Sequence, residues 1–167
     1  MGLDMYLFSL PKITGMDYDE IVLANVQMSK HKAQQDEIYQ KLKPHIKHFK
    51  EYDSSWSSIY EEVAYWRKAN QIHNWFVETL HNGEDDPLFT QEVTRKNLQD
   101  LNHLCLQVLK QKEPPYYILP TRPGCFFGSL SYDSYYYREL EETQELLAAL
   151  IKHFNFETHY LLYQCSW

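Results

Sequence analysis

The stretch Glu61–Leu80, EEVAYWRKANQIHNWFVETL, limits the folds open to this chain more than any other segment, because both of its ends are signalled. Ser58-Ile59-Tyr60-Glu61 matches the capping box, in which a hydroxyl and a carboxylate satisfy the orphan amides of a helix start. His81-Asn82-Gly83 and the acidic Glu84-Asp85-Asp86-Pro87 supply the stop, since glycine takes a left-handed cap freely and proline blocks resumption. The spacing predicts one helix over 61–80. On it Tyr65, Ala69, Ile72, Phe76 and Leu80 make a core stripe, and Val63, Trp66, Asn70, His73 and Val77 a mixed one beside it.

The remaining elements arrange themselves around that helix. Leu3–Leu10, rich in Leu, Met and aromatics and closed by Pro11, reads as a strand with Leu3, Met5 and Leu7 on one face and Asp4, Tyr6 and Phe8 on the other. Asp17 and Glu20 mark a helix start, with helical composition through Val26 and again over Ala33–Leu42 until Pro44. Tyr52–Ser58, with four serines, reads as a loop. Leu98, Leu101, Leu104, Cys105 and Val108 give a structural helix from Arg95 to about Gln111, and Tyr116–Leu119 a short extended piece. Asp133 or Ser134 caps a helix running to about His153 on the stripe Tyr136, Leu140, Thr143, Leu147 and Leu150. Thr158–Trp167 alternates as a strand, and antiparallel pairing with Leu3–Leu10 would join the termini in one sheet. The fold class that follows is α+β, mainly helical: about four helices packed around a small sheet of the N- and C-terminal strands. At 167 residues it is expected to be a single globular domain over 1–167.

Charge and cysteine usage exclude several functions. The first 50 residues carry seven Lys/Arg and six Asp/Glu, which leaves nine and seventeen for the rest of a chain of net charge −7. Without a basic block the counterion-release term that drives duplex binding is missing, so no duplex nucleic acid is expected as a partner. Cys105, Cys125 and Cys165 are odd in number and widely spaced, which suits a reducing cytoplasm and suggests neither a disulfide framework nor a zinc ribbon. No secretory leader or apolar run of membrane-spanning length is evident. His45 and His48 have a ligand-like spacing, but no further donor completes a metal site, and no metal or cofactor is expected.

Four pieces carry a family resemblance: Gly2-Leu3-Asp4-Met5-Tyr6-Leu7, the run from Glu62 through Tyr65-Trp66-Arg67-Lys68-Ala69-Asn70 and Ile72-His73 to Phe76, the Gly124–Tyr136 segment, and Tyr163-Gln164-Cys165-Ser166-Trp167. In these the chain resembles a family of small bacteriophage and prophage proteins. Cys125 stands where that pattern has a third Phe, and Cys165 where it has Ser. The resemblance implies a phage-derived protein of the host-cell cytoplasm and brings no activity with it.

The same segments collect the candidate site residues. Tyr65, Trp66, Arg67, Asn70 and His73 come from the predicted helix, and Arg122, Phe127, Tyr132, Asp133, Tyr136 and Trp167 from the later segments. Rings to stack on, amide donors and the cations Arg67, Lys68 and Arg122 are what a pocket for a small anionic, nucleotide-like ligand requires. Glycines beside Phe126 and Phe127 suggest close backbone approach there. The bland reading of Asn70 and His73 is that they are hydrogen-bonded core residues. Two further functional readings stand beside the ligand pocket. One is a protein-interaction module that inhibits or redirects a host protein through these aromatics, with a homodimer as a variant. The other is an enzyme using His73 as general acid or base with Asp133 or a tyrosine, against which no nucleophile–base pair stands at a recognisable spacing.

Overall fold

Leu3, Met5 and Leu7 alternate with Asp4, Tyr6 and Phe8, and that period of two makes the first strand, β1 (Asp4–Pro11), the centre of the fold. The structure, a computed structural model, describes residues 2–51, 54–87, 90–111 and 113–167. After β1 come three short helices, α1 (Tyr18–Val26), α2 (Met28–Gln34) and α3 (Glu37–Leu42), and a 3₁₀ turn, Lys43–His45. Strands β2 (Lys47–Glu51), β3 (Ser54–Ser58) and β4 (Glu61–Arg67) precede helix α4 (Asn70–Leu80). The chain ends with β5 (Gln91–Glu92), α5 (Arg95–Leu109), the single turn α6 (Pro115–Ile118), α7 (Ser134–His153) and β6 (His159–Ser166).

The main sheet is antiparallel, in the order β4-β1-β6-β5. The expected pairing of the termini is present, running from Asp4 opposite Ser166 to Pro11 opposite His159. One face of this sheet, carrying Leu3, Met5, Leu7, Ala64, Trp66, Leu161 and Tyr163, packs with α4, α5 and α7 into the larger core. On the other face Leu10 and Leu162 meet Ile21, Ala24, Met28 and Leu42 from α1–α3 in a second, smaller core. The class is therefore α+β as expected, with more and shorter helices than the four predicted. Among the described residues, no helix is long and apolar enough to cross a membrane.

The largest departure from the sequence reading falls on its central stretch. Glu61–Arg67 is a strand, and only Asn70–Leu80 is helical. The strand pairs along an edge of β1, with Asp4 opposite Arg67 and Met5 opposite Trp66 and a register shift that passes over Val63, and that pairing outweighs helix propensity. The Ser58 hydroxyl closes a local turn by accepting from the Tyr60 amide at 2.9 Å, so the expected capping box is not formed. Lys68, at φ +61, then turns the chain from strand into helix. The Ser-rich stretch read as a loop is largely β3, paired with β2 through the stacked Phe49 and Trp56 rings, while Tyr52 and Asp53 lie outside the described residues. His48 lies in β2 and His45 in the 3₁₀ turn, so the helical face that would have paired them does not exist. Tyr116–Ile118 lies in the turn α6, which Pro115 starts at a position where its missing amide costs nothing.

Other signals were read as they fold. Asp17 and Glu20 form a reciprocal capping box on α1, and Asp133 accepts the amides of Tyr135 and Tyr136 to cap α7. Gly83 takes φ +84 and its amide bonds back to the Val77 carbonyl at 3.1 Å, closing α4 as expected.

Candidate functional site

The helix that starts at Asn70 sets Asn70, His73, Asn74, Val77 and Glu78 within one broad face, at spacings of three and four residues. His73 is fully buried and hydrogen-bonded at both ring nitrogens. Its Nδ1 lies 2.7 Å from the hydroxyl of Tyr163 on β6, and its Nε2 lies 3.0 and 3.1 Å from the two carboxylate oxygens of Asp85. A proton on Nε2 meets the carboxylate, so Nδ1 accepts the Tyr163 O–H. Burial lowers the imidazole pKa, against the opposing pull of Asp85. Burial likewise holds the Tyr163 hydroxyl well above the usual phenol range. Tyr163 is fixed from its other side by Phe76, stacked at 4.1 Å and 14°.

Asp85 arrives because Gly83 reverses the chain after α4 and lays the acidic stop signal back over the helix. Its carboxylate also accepts from Arg122 Nε at 2.9 Å and from the Trp167 indole at 3.2 Å. Arg122 is engaged at every guanidinium nitrogen, since Nη1 donates to Asn74 at 2.9 Å and Glu78 at 3.1 Å, and Nη2 donates to the Gly83 carbonyl at 3.4 Å. A phosphate at Arg122 would have to displace an ion pair that is mostly withdrawn from solvent.

Asn70 completes the network by gripping backbone. Its Oδ1 accepts from the Arg122 amide at 3.1 Å, and its Nδ2 donates to the carbonyls of Phe127 and Ser129 at 3.1 and 2.9 Å. The Arg122–Ser129 loop is thereby tied at three points to one side chain. Phe127 turns inward and sets its ring edge-on to His73 at 5.3 Å and to Trp167 at 5.8 Å. Glycine is required at 124, where a Cβ would stand 2.4 Å from the Phe127 ring, and at 128, at φ +99 against the Lys68 backbone. Phe126, between them, points outward with 58% of its surface exposed and holds φ +63, a region costly for an aromatic residue.

Five of the predicted residues therefore meet: Asn70, His73, Arg122, Phe127 and Trp167. The other six do not join them. Trp66 faces inward on β4 and donates its indole N–H to Thr143 of α7 at 2.9 Å. Tyr65 and Arg67, one residue either side, point to the opposite sheet face, where both meet Asp4. Tyr132 and Tyr136 anchor the loop's ends through Thr121 and the Leu119 carbonyl, and Asp133 is spent on its cap. Sequence reasoning missed Tyr163 and Cys165, which read as strand interior, and Asp85, which read as a stop signal. An acidic residue in a Gly-closed turn directly after a helix carrying a buried His was the available clue to Asp85.

As chemistry, the network is closed. None of the described cavities is lined by His73, Asp85, Arg122 or Cys165, His73 has no exposed edge, and burial, helped by the Asp85 charge, raises the Cys165 thiol to about 11, far from a nucleophilic thiolate. What the arrangement does is hold a strained loop rigidly at the surface. Comparison with protein-family models, with curated proteins and with solved structures finds no match for the chain.

Proposed function

We propose that this protein is a non-enzymatic interaction module that docks on another protein through the Phe126 turn. The observation that carries the reading is Phe126 itself, a half-exposed aromatic held at positive φ on a loop whose base is pinned by Asn70, Arg122 and Phe127. Backbone strain of this kind costs on the order of 1–3 kcal/mol and persists only where the surroundings impose it. A rigid aromatic that loses little entropy on docking is the usual anchor of a binding surface. Lys68 and Arg67 lie next to Gly2 beside the Phe126 backbone, a cationic flank on an acidic protein. The partner that fits is a protein with an apolar cleft rimmed by carboxylates, and the resemblance to phage proteins makes it a host protein in the cytoplasm.

The test compares Phe126→Asp with the parent chain as baits in host-cell lysate. Phe126 is exposed, so the variant keeps its circular dichroism and Tm while losing a stoichiometric partner that the parent retains. Equal recovery by both baits, or none by either, removes the reading.

A small anionic, nucleotide-like ligand is the second reading, favoured by a different place from the one expected. A cavity of about 430 Å³ lies between α2 and the β2–β3 hairpin, with Ser29, Lys32, His48 and Ser57 in its lining beside the Phe49–Trp56 stack. Its size and mixed polar and aromatic walls suit such a ligand. A thermal-shift panel of nucleotides separates the two readings. A stabilisation that disappears in Lys32→Ala and persists in Phe126→Asp supports the ligand, and a flat panel removes it.

A further inference from the structure

We propose that Cys165, His73 and Asp85 form a binding site for one divalent transition-metal ion of the zinc type. Their donor atoms, one sulfur, one imidazole nitrogen and one carboxylate oxygen, all lie within 4.8 Å of one another. His73 and Cys165 are buried, and Asp85 is mostly so. Zinc bonds of about 2.0–2.3 Å in tetrahedral geometry bring donors to roughly 3.3–3.8 Å of each other, so a closure of about an ångström among the three side chains completes the set. Thiolate, imidazole and carboxylate together favour zinc over the oxygen-seeking magnesium or calcium.

The second layer of contacts is already built. A metal-bound histidine normally gives its other N–H to a fixed acceptor, and Tyr163 stands 2.7 Å from Nδ1. Ligating carboxylates are normally hydrogen-bonded from outside, and Arg122 and Trp167 hold one Asp85 oxygen each. A carboxylate offers about four acceptor positions, so these bonds leave room for a metal. In the metal-free protein the His73 Nε2 proton occupies that space, facing both Asp85 oxygens at nearly equal distance. On binding, that proton moves to Nδ1 and faces the Tyr163 oxygen. The Cys165 S–H proton leaves to solvent, so one metal ion enters and one proton departs.

The test uses the whole chain stripped with chelator and titrated with Zn²⁺ and, separately, Co²⁺. The expected result is one ion per chain. Co²⁺ should add a thiolate-to-metal charge-transfer band in the near ultraviolet and intense visible bands of tetrahedral cobalt. Cys165→Ser, nearly isosteric, should abolish the charge-transfer band and weaken Zn²⁺ by about tenfold or more, whereas Cys125→Ser changes neither. Absence of saturable binding by the parent chain overturns the proposal with no variant needed. So does a charge-transfer band that survives Cys165→Ser or is lost in Cys125→Ser.

Discussion

The side chain of Asn70 holds the backbone of Phe127 across 57 residues of sequence, donating Nδ2–H to its carbonyl at 3.1 Å. The same amide also serves Ser129 and Arg122. Asn70→Ala would leave two carbonyls and one N–H of the loop without that partner. The expected loss is about 3 kcal/mol in urea unfolding, with faster amide exchange over residues 122–130. A loss under about 0.5 kcal/mol would mean that the loop is held by other contacts.

Trp66 and Thr143 join the sheet to α7 through one buried hydrogen bond. Thr143→Val keeps the shape and removes the acceptor, stranding the indole N–H at a cost of about 1–2 kcal/mol. Thr143→Ser keeps an acceptor and should cost less than Thr143→Val. Chemical denaturation of the two variants side by side checks the order.

Gly128 and Gly15 both hold positive φ, but only Gly128 has a close neighbour, with a new Cβ meeting Lys68 atoms at 3.2 and 3.3 Å. Gly15 faces the end of the Lys41 side chain at 3.6 Å, which can move. Gly128→Ala should therefore lose about 1 kcal/mol more than Gly15→Ala. Equal losses would show that the left-handed backbone alone sets the cost.

Cys125 is exposed, whereas burial pushes the Cys105 thiol up to about 12. A disulfide reagent should label Cys125 in native protein and reach Cys105 only on unfolding. Cys125→Ser should remove the fast phase of labelling. A fast phase that remained would mean that another thiol opens readily.

Burial first, and then the neighbouring Glu142, raise the carboxyl pKa of Glu139 on α7. Its folded pKa therefore lies above its unfolded one, so its contribution to stability is full below the unfolded value and is lost as pH rises through the folded value. Glu139→Gln should accordingly raise Tm at neutral pH, and the gain should vanish at about pH 3, where both forms are uncharged. A gain equal at both pH values would place its cause in packing.

Much of the architecture can be read from local patterns. Leu3, Met5 and Leu7 alternate with polar or aromatic neighbours, Leu98 to Val108 repeat at helical spacing, and Asp17, Gly83 and Asp133 mark ends through bonds to amides and carbonyls a few residues away. Each of these signals depends on groups close in sequence, so the chain alone determines it. Glu61–Arg67 was not legible in the same way. Its capping signal and helical stripe are local, whereas the partner that makes it a strand, β1, lies more than fifty residues away. The candidate site divides along the same line. The aromatic and amide segments identified Asn70, His73, Arg122, Phe127 and Trp167 by residue type, but the alternation of β4 sent Tyr65 and Arg67 to the far side of the sheet. Asp85 and Tyr163 became the partners of His73 through a helix-ending turn and a terminal strand. Sequence by itself determined the starts of α1 and α7, the end of α4, the core faces of β1 and α5, and the residue types gathered at the site. Tertiary structure alone decided that the pocket expected from those residues would be filled by their own side chains, because burying His73 requires every one of its hydrogen bonds to be met from within.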